Sequence, residues 1–162
     1  MIGLVVGVLM STAVAGDRAP ASVSSEADAR VVFHADFSDP RRFSAMLSSL
    51  GNLVAHYENE FMDADVRVVV VSHAIRFMTE NDLADTPFAA DDVLLEARPT
   101  LLGRMRSMAE LNGVQFELCD ITRAFVNLPE DELAEFVTLV PSGVVRIAEL
   151  QNDYGFAYLK IE

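Results

Sequence analysis

Hydrophobic residues along this chain follow two patterns, short apolar runs and longer segments with helical spacing. The runs RVVFHA at 30–35 and VRVVVVS at 66–72 are rich in β-branched residues and lack polar alternation, which predicts strands buried on both faces. Between them, apolar residues three and four positions apart predict a helix over residues 40–60. Asp39 is its expected N-cap, with Pro40 at the first helical position.

The second half of the chain continues this alternation. A helix is predicted over residues 100–112, starting earlier if it is interrupted near Pro99, and it ends at Gly113. Other predicted elements are a short helix at 74–78, a loop or small helical insertion at 82–92, a strand at 114–118, a helix or turn at 120–125, an acidic helical turn at 129–135, strands at 136–140 and 156–161, and a helix at 143–152. Such alternation predicts an α/β fold, a three-layer α/β/α sandwich around a mostly parallel, roughly five-stranded sheet.

The N-terminal part of the chain differs in composition from the rest. Residues 1–15, MIGLVVGVLMSTAVA, form an apolar run too short to span a bilayer and end in a small-residue cleavage pattern, although no Lys or Arg precedes Arg18. We therefore predict a signal peptide over residues 1–15, a flexible linker over 16–29 and one α/β domain over 30–162. The mature protein would then be periplasmic or secreted, with no membrane attachment after cleavage.

Charge and composition narrow the classes of function. The formal net charge of −13 argues against binding to nucleic acid or to anionic lipid, since both require clustered Lys and Arg. The sequence contains no GxGxxG, GxxxxGK[ST], GxSxG, HExxH or CxxC motif, which argues against dinucleotide enzymes, P-loop NTPases, serine hydrolases and thioredoxin-type proteins. A mean hydropathy of +0.26 in so acidic a chain predicts apolar subunit contacts and a homo-oligomer.

The candidate chemistry centres on Cys119, the only cysteine. It follows a predicted strand and precedes a predicted helix start, a position where α/β sheets bind ligands and where a helix N-terminus favours a thiolate. The carboxylate of Asp120 would disfavour the thiolate, and Arg123, one turn on, would offset that charge. The alternative is that Cys119 is a small buried apolar residue.

Two histidines also follow or end predicted strands. His34 lies near the end of the first strand and His73 just past the second, so both are expected at the same edge of the sheet as Cys119. Together they would form a Cys/His metal site or a Cys–His catalytic pair. Alternatively, each histidine has only a structural role, hydrogen-bonded to nearby backbone.

Four stretches together resemble the DsrE/DsrF-like family. They are RVVFHADFSDP at 30–40, VRVVVVSHAIRFM at 66–78, GVQFELCDIT at 113–122 and VTLVPSGVVRIAELQNDYGFAYLKI at 137–161. The resemblance implies a compact α/β/α domain that assembles into trimers or hexamers. It also implies sulfur relay through a persulfide on the strand-end cysteine, here Cys119, and a sulfur donor or acceptor protein as partner.

Three hypotheses follow. The first is an exported, sulfurtransferase-type sulfur carrier that uses Cys119 and has no tightly bound cofactor. The second is a non-catalytic oligomeric binding module in which Cys119 is simply buried. The third is a metal- or haem-associated accessory protein that uses His34 or His73.

Overall fold

A five-stranded parallel sheet forms the centre of the protein, with strand order β4-β3-β2-β1-β5. The computed structural model describes residues 18–161, so the predicted signal peptide lies outside the described residues. The strands are β1 (Ala29–Ala35), β2 (Ala64–Val70), β3 (Gln115–Cys119), β4 (Val137–Val140) and β5 (Ala157–Leu159). The helices are α1 (Pro40–Asn59), α2 (Asp92–Asn112), α3 (Asp120–Phe125) and α4 (Gly143–Asn152), with 3₁₀ helices at Ser72–Phe77 and Glu130–Glu132. The predicted α/β/α architecture is confirmed.

Helices α1 and α2 cover one face of the sheet and enclose the larger apolar core. Helix α1 starts where the sequence predicts, because the Asp39 carboxylate accepts a hydrogen bond from the Arg41 amide at 2.8 Å. Its apolar stripe is buried, and Phe43 stacks on Phe77 with ring centroids 4.1 Å apart. Burial of this stripe stabilises the helix more than its intrinsic propensity does.

Helix α2 is longer than the predicted segment 100–112. Its N-cap is Asp91, whose side chain accepts from the Leu94 amide at 2.9 Å, and the helix continues without interruption through Pro99. A proline inside a helix removes one backbone hydrogen bond, but the buried side chains before and after it hold the helix against the core. Gly113 ends the helix with a left-handed φ of 69°, as predicted.

Helix α4 packs on the opposite face of the sheet and supplies the third layer. The apolar cluster there is small, consisting of Val32, Val69, Ile147, Leu150 and Phe156. Charged side chains from β2 and β3 occupy much of the remaining face, so this layer is held by ion pairs as well as by apolar contact.

Residues 18–24, called the strap below, complete the α4 layer. Composition predicts a flexible linker here, and the strap indeed contains no helix or strand. It is nevertheless fastened to the sheet, because the Leu139 amide of β4 donates to the Arg18 carbonyl at 2.7 Å. Arg67 of β2 also donates to the carbonyls of Ala21 and Ser22, each at 3.0 Å. Partner groups distant in sequence hold this segment, and local composition carries no sign of them.

Candidate functional site

Strand order places a crevice at the carboxyl ends of β3 and β4. After β3 the chain turns toward the α1/α2 face, where Leu128 and Leu133 join the larger core. After β4 the chain turns toward the opposite face and forms α4. Adjacent parallel strands whose connections leave toward opposite faces create the crevice in which α/β sheets bind ligands. Cys119 and Pro141, at the ends of these two strands, lie at this point.

Cys119 ends β3 beneath the start of α4. Its Cα pairs in register with Val140 of β4, and the residue is 6% exposed. Because Phe116 and Leu118 face the larger core, Cys119 faces the α4 side. A Cβ placed on Gly143 would lie 3.1 Å from the Cys119 Cβ and would overlap Val71. Glycine is therefore what allows the first turn of α4 to lie directly on the cysteine.

Asp120 and Arg123 form an ion pair beside this cysteine. Arg123 Nε donates to the Asp120 carboxylate at 2.6 Å, and Arg123 Nη1 donates to the Leu128 carbonyl at 2.7 Å. The Glu130 carboxylate lies 3.7 Å from Arg123 Nη2. The structure thus pairs Arg123 with Asp120, as the sequence predicts, and Glu130 shares the same guanidinium.

An open cavity of about 420 Å³ lies at the ends of β3 and β4. It is lined by Arg18, Ala19, Pro20, Asp120, Glu130, Leu139, Val140 and Pro141. The lining thus includes the residue that follows Cys119 and the residue paired with it in β4, but not Cys119 itself. Its lining combines apolar residues with the acidic residues Asp120 and Glu130 and with Arg18.

His34 lies two strands away from Cys119, on β1. Its Nδ1 is 2.9 Å from the Tyr158 hydroxyl, and its Nε2 is buried with no hydrogen-bond partner among residues 18–161. Burial lowers the pKa of His34 and the positive charge of Lys160 adds to that effect, while Asp36 opposes it. The imidazole is therefore neutral near pH 7.

His73 is exposed and lies against a loop. Its ring meets Phe88 edge-on with centroids 4.9 Å apart, and its Nδ1 is 3.2 Å from the Ser72 hydroxyl. No hydrogen bond within residues 18–161 connects Cys119 with His73 or His34. In the same range no three His, Cys, Asp or Glu side chains are grouped as a metal site. The structure thus does not bring the two histidines and the cysteine together as one ligand set.

A buried charge network, which sequence reasoning missed, lies on the same face as Cys119. Glu117, two residues before the cysteine, is fully buried. It accepts from Arg67 Nη1 at 2.6 Å and from Arg146 Nε at 2.7 Å. Arg67 also binds Asp65 with both Nε and Nη2, at 2.8 and 2.9 Å. The network joins β2, β3 and the first turn of α4.

The charge states in this network are set by its geometry. Burial disfavours the charged form of Arg67, but the hydrogen bonds and charges of Asp65 and Glu117 outweigh burial and raise its pKa. The signal in the sequence was a charged residue within each apolar strand, Arg67 in VRVVVV and Glu117 in QFELC. Opposite charges on adjacent strands predict a buried pair once strand order is known.

None of the helices in residues 18–161 is long and apolar enough to cross a membrane.

Comparisons with known proteins identify the family. No curated protein matches the chain. A solved structure of a protein of unknown function from Methanobacterium thermoautotrophicum is similar, with 27% sequence identity and a TM-score of 0.63 over 82% of this chain and 99% of that one. The model of the DsrE/DsrF-like family matches residues 26–161. The chain belongs to the DsrE/DsrF-like family.

Proposed function

We propose that this protein is an exported sulfur carrier that holds sulfur as a persulfide on Cys119. Family membership supports a role related to sulfur relay. The observation that carries the proposal is the position of Cys119, the only cysteine of the chain, at the end of β3 in the crevice between β3 and β4. This is where α/β sheets bind their ligands.

The proposed reaction requires only a thiolate and a sulfane-sulfur donor. The Cys119 thiolate attacks the outer sulfur of a donor persulfide RS–SH, a new S–S bond forms, and RS⁻ leaves. With thiosulfate the same attack releases sulfite. In each case one S–S bond breaks as another forms, so no external oxidant or reductant is consumed. The acceptor step is the same exchange in reverse, with the acceptor thiolate attacking the outer sulfur of the Cys119 persulfide.

The surroundings of Cys119 are those expected of a thiol that stores sulfur in a sheltered position. The first turn of α4, a ten-residue helix, lies on the cysteine. Arg123 pairs with the adjacent carboxylate of Asp120. Burial of Cys119 under Gly143 limits access by reagents in solution, which protects a persulfide between transfers.

Intact-protein mass spectrometry tests this proposal. Purified protein is incubated with polysulfide or thiosulfate, desalted and weighed. We expect a gain of one sulfur atom that is absent in Cys119→Ser. Absence of an adduct on the wild-type protein, with circular dichroism showing a folded chain, would overturn the carrier proposal.

A second candidate function is a non-catalytic oligomeric binding module. The burial of Cys119 favours it, as do the exposed apolar side chains Ile121 and Phe125 on α3, which suit a subunit contact in a trimer or hexamer. Under this alternative the thiol resists alkylation until the protein is denatured and forms no persulfide. Light scattering then gives the subunit number, and a monomer would argue against the module.

Export rests on the N-terminal sequence. We propose cleavage after Ala15, which leaves Gly16 as the first residue of the mature protein. Mass spectrometry of protein from the periplasmic or secreted fraction would show that N-terminus. Soluble cytosolic protein that retains Met1 would contradict export.

A further inference from the structure

Helix α1 ends in a backbone conformation that glycine ordinarily supplies. The Met62 amide donates to the Tyr57 carbonyl at 2.9 Å. The Phe61 amide donates to the Glu58 carbonyl at 3.1 Å, and the two bonds together make a Schellman motif. The motif places one residue in the left-handed region, and here that residue is Phe61, with a φ of 55°. Because a side chain is unfavourable in this region, Phe61 weakens the helix end that it forms.

The end of α2 beside it shows the usual solution. Asn112 Nδ2 donates to the Glu58 carboxylate at 2.8 Å, so the two helices end side by side. Helix α2 ends at Gly113, with a φ of 69°. Glycine adopts this conformation without strain. The contrast shows that the fold does not require a phenylalanine where α1 ends.

The Phe61 ring also adds no packing that would offset the strain. It is 97% exposed, the largest value among the large apolar side chains of residues 18–161. Leu111, in the last turn of α2, is 80% exposed, and Met62 is 37% exposed. These three residues, Phe61, Met62 and Leu111, are called the helix-end patch below. Exposed apolar side chains grouped in this way are typical of protein contact surfaces.

The charge around the helix-end patch is unfavourable for the chain by itself. The C-termini of α1 and α2, helices of 20 and 21 residues, carry partial negative charge and are stabilised by basic side chains. The last turn of α2 has no basic residue, and that of α1 has only His56. Residues 56–65 and 108–115 contain no Lys or Arg. Exposed carboxylates lie there instead, on Glu58, Glu60, Asp63 and Glu110.

Strain, exposed apolar surface and uncompensated negative charge therefore coincide at one place. Departures from local stability rules are expected at functional sites. We propose that the helix-end patch is a docking surface for a basic, apolar segment of a partner protein, with Phe61 as its anchor. Lys and Arg of that segment neutralise the carboxylates and the helix ends, and its apolar side chains cover the ring. A second copy of this chain is disfavoured, because the same carboxylates would face each other across the contact.

The helix-end patch is remote from the candidate site. It immediately precedes β2, so it lies at the amino ends of the strands, whereas Cys119 is at the carboxyl end of β3. A partner docked there leaves the crevice open. The docking surface goes beyond the proposed sulfur-carrier function, and its test does not use Cys119.

Peptide binding tests the docking surface directly. The probe is a dye-labelled amphipathic helical peptide composed only of leucine and lysine, and fluorescence anisotropy measures its affinity for the full-length chain. Phe61→Ser should weaken binding at least about tenfold, because aromatic anchors carry a large share of binding energy. Val144→Ser is the control, since Val144 is 69% exposed on α4 at the opposite edge of the sheet, and its affinity should equal that of the wild-type protein.

A second pair of variants tests the role of charge. Glu60→Lys and Glu149→Lys change the net charge by the same amount, but only Glu60 lies next to the helix-end patch. Glu60→Lys should weaken peptide binding more than Glu149→Lys does at low salt. The difference should shrink as the salt concentration rises. Equal weakening by the two variants would contradict a docking surface that selects a basic partner.

Thermal melting provides a readout that needs no partner. Phe61→Gly should raise the Tm by about 2–4 °C, because glycine removes the strain and the exposed ring contributes no packing. A lower Tm would show that the ring stabilises the fold, and the docking role would be overturned. Equal peptide affinities of Phe61→Ser and Val144→Ser, or no binding by the wild-type protein, would also overturn it. Sedimentation that shows self-association of the wild-type protein, lost in Phe61→Ser, would identify a second copy as the occupant and overturn the basic partner.

Discussion

The two faces of the sheet are built in different ways. On the α1/α2 face, alternate residues of β1, β2 and β3 are apolar and pack against aromatic and aliphatic side chains of both helices. On the α4 face the apolar cluster is small, and buried Arg67 and Glu117 occupy positions that would otherwise be apolar. The first face is expected to supply most of the stability. The second holds Cys119, the crevice and the strap.

The difference shows how one sheet can be held by apolar packing on one face and by ion pairs and hydrogen bonds on the other. Apolar packing is non-directional and tolerates little movement without loss of contact. Ion pairs and backbone hydrogen bonds are directional and can be exchanged one at a time. Glu117 joins Arg67, which holds the strap, to Arg146, which holds α4. The charged residues on the same face as Cys119 therefore also hold the strap and α4 in place.

The largest effect is expected from a cavity in the apolar face. Phe43→Ala removes a fully buried ring that stacks on Phe77 and should lower the free energy of unfolding by about 3–5 kcal/mol, measured by urea denaturation. Phe61→Ala is the control, since Phe61 is 97% exposed, and it should change stability by less than about 0.5 kcal/mol. Similar losses in the two variants would contradict the assignment of the main core to the α1/α2 face.

Glu117→Gln should break the charge network of the α4 face at its centre. It removes the charge that pairs with Arg67 and Arg146 and should lower the free energy of unfolding by about 3 kcal/mol. Native-state alkylation of Cys119 should rise as well, because both the strap and α4 lose a tether. Glu149→Gln serves as the control, because it removes an exposed carboxylate from α4 that is outside the network. If Cys119 is alkylated at the same rate in the two variants, the network does not hold the strap and α4 in place.

Gly143→Ala tests the contact between α4 and the cysteine. The added methyl group would overlap Val71 and crowd Cys119, which should cost about 1–3 kcal/mol in unfolding free energy. Gly103→Ala is a matched control within α2, where a Cβ meets nothing within 4 Å, and it should stabilise the helix by up to about 1 kcal/mol. Thermal melts of both variants measure the difference. A neutral Gly143→Ala variant would contradict the close packing of α4 on Cys119.

The smallest expected effect is on pH dependence and involves His34. Its pKa in the folded state lies below the ordinary value of 6.5, mainly through burial, so the unfolded chain binds the proton more readily. Above pH 6.5 the imidazole is mostly neutral in both states, and folding carries little cost from this residue. As pH falls from 6.5 through the folded-state pKa, the free energy of unfolding decreases. Urea denaturation between pH 7.5 and pH 5 should show this loss in the wild-type protein and a shallower loss in His34→Gln. Parallel profiles would show that His34 is not responsible.

Much of the fold could be predicted from the sequence because the apolar periods are strong. The stripe of α1 and the β-branched runs of β1 and β2 place these elements within a few residues. Pro99 hid the first turns of α2, since a proline usually ends a helix, whereas here the N-cap of Asp91 and burial of Leu94 sustain it. Strand order depends on contacts between distant segments and cannot be read from local periodicity.

The candidate site was predicted only in part, because the sequence shows local features but not contacts between distant segments. Cys119 at a strand end and its Asp120–Arg123 pair are local features, and the structure shows both. The strap and the Glu117 network depend on partners roughly 30 to more than 100 residues apart, so neither local spacing nor composition reveals them.

The central claim is that Cys119 carries transferable sulfur within the folded protein, and cyanolysis under native conditions tests it most directly. Protein loaded with polysulfide and desalted is treated with cyanide, which removes the outer sulfur of a persulfide as thiocyanate and regenerates the Cys119 thiolate. The account predicts one thiocyanate per chain from the folded wild-type protein and none from Cys119→Ser. Thiocyanate released only after denaturation, or in equal amounts from Cys119→Ser, would contradict it.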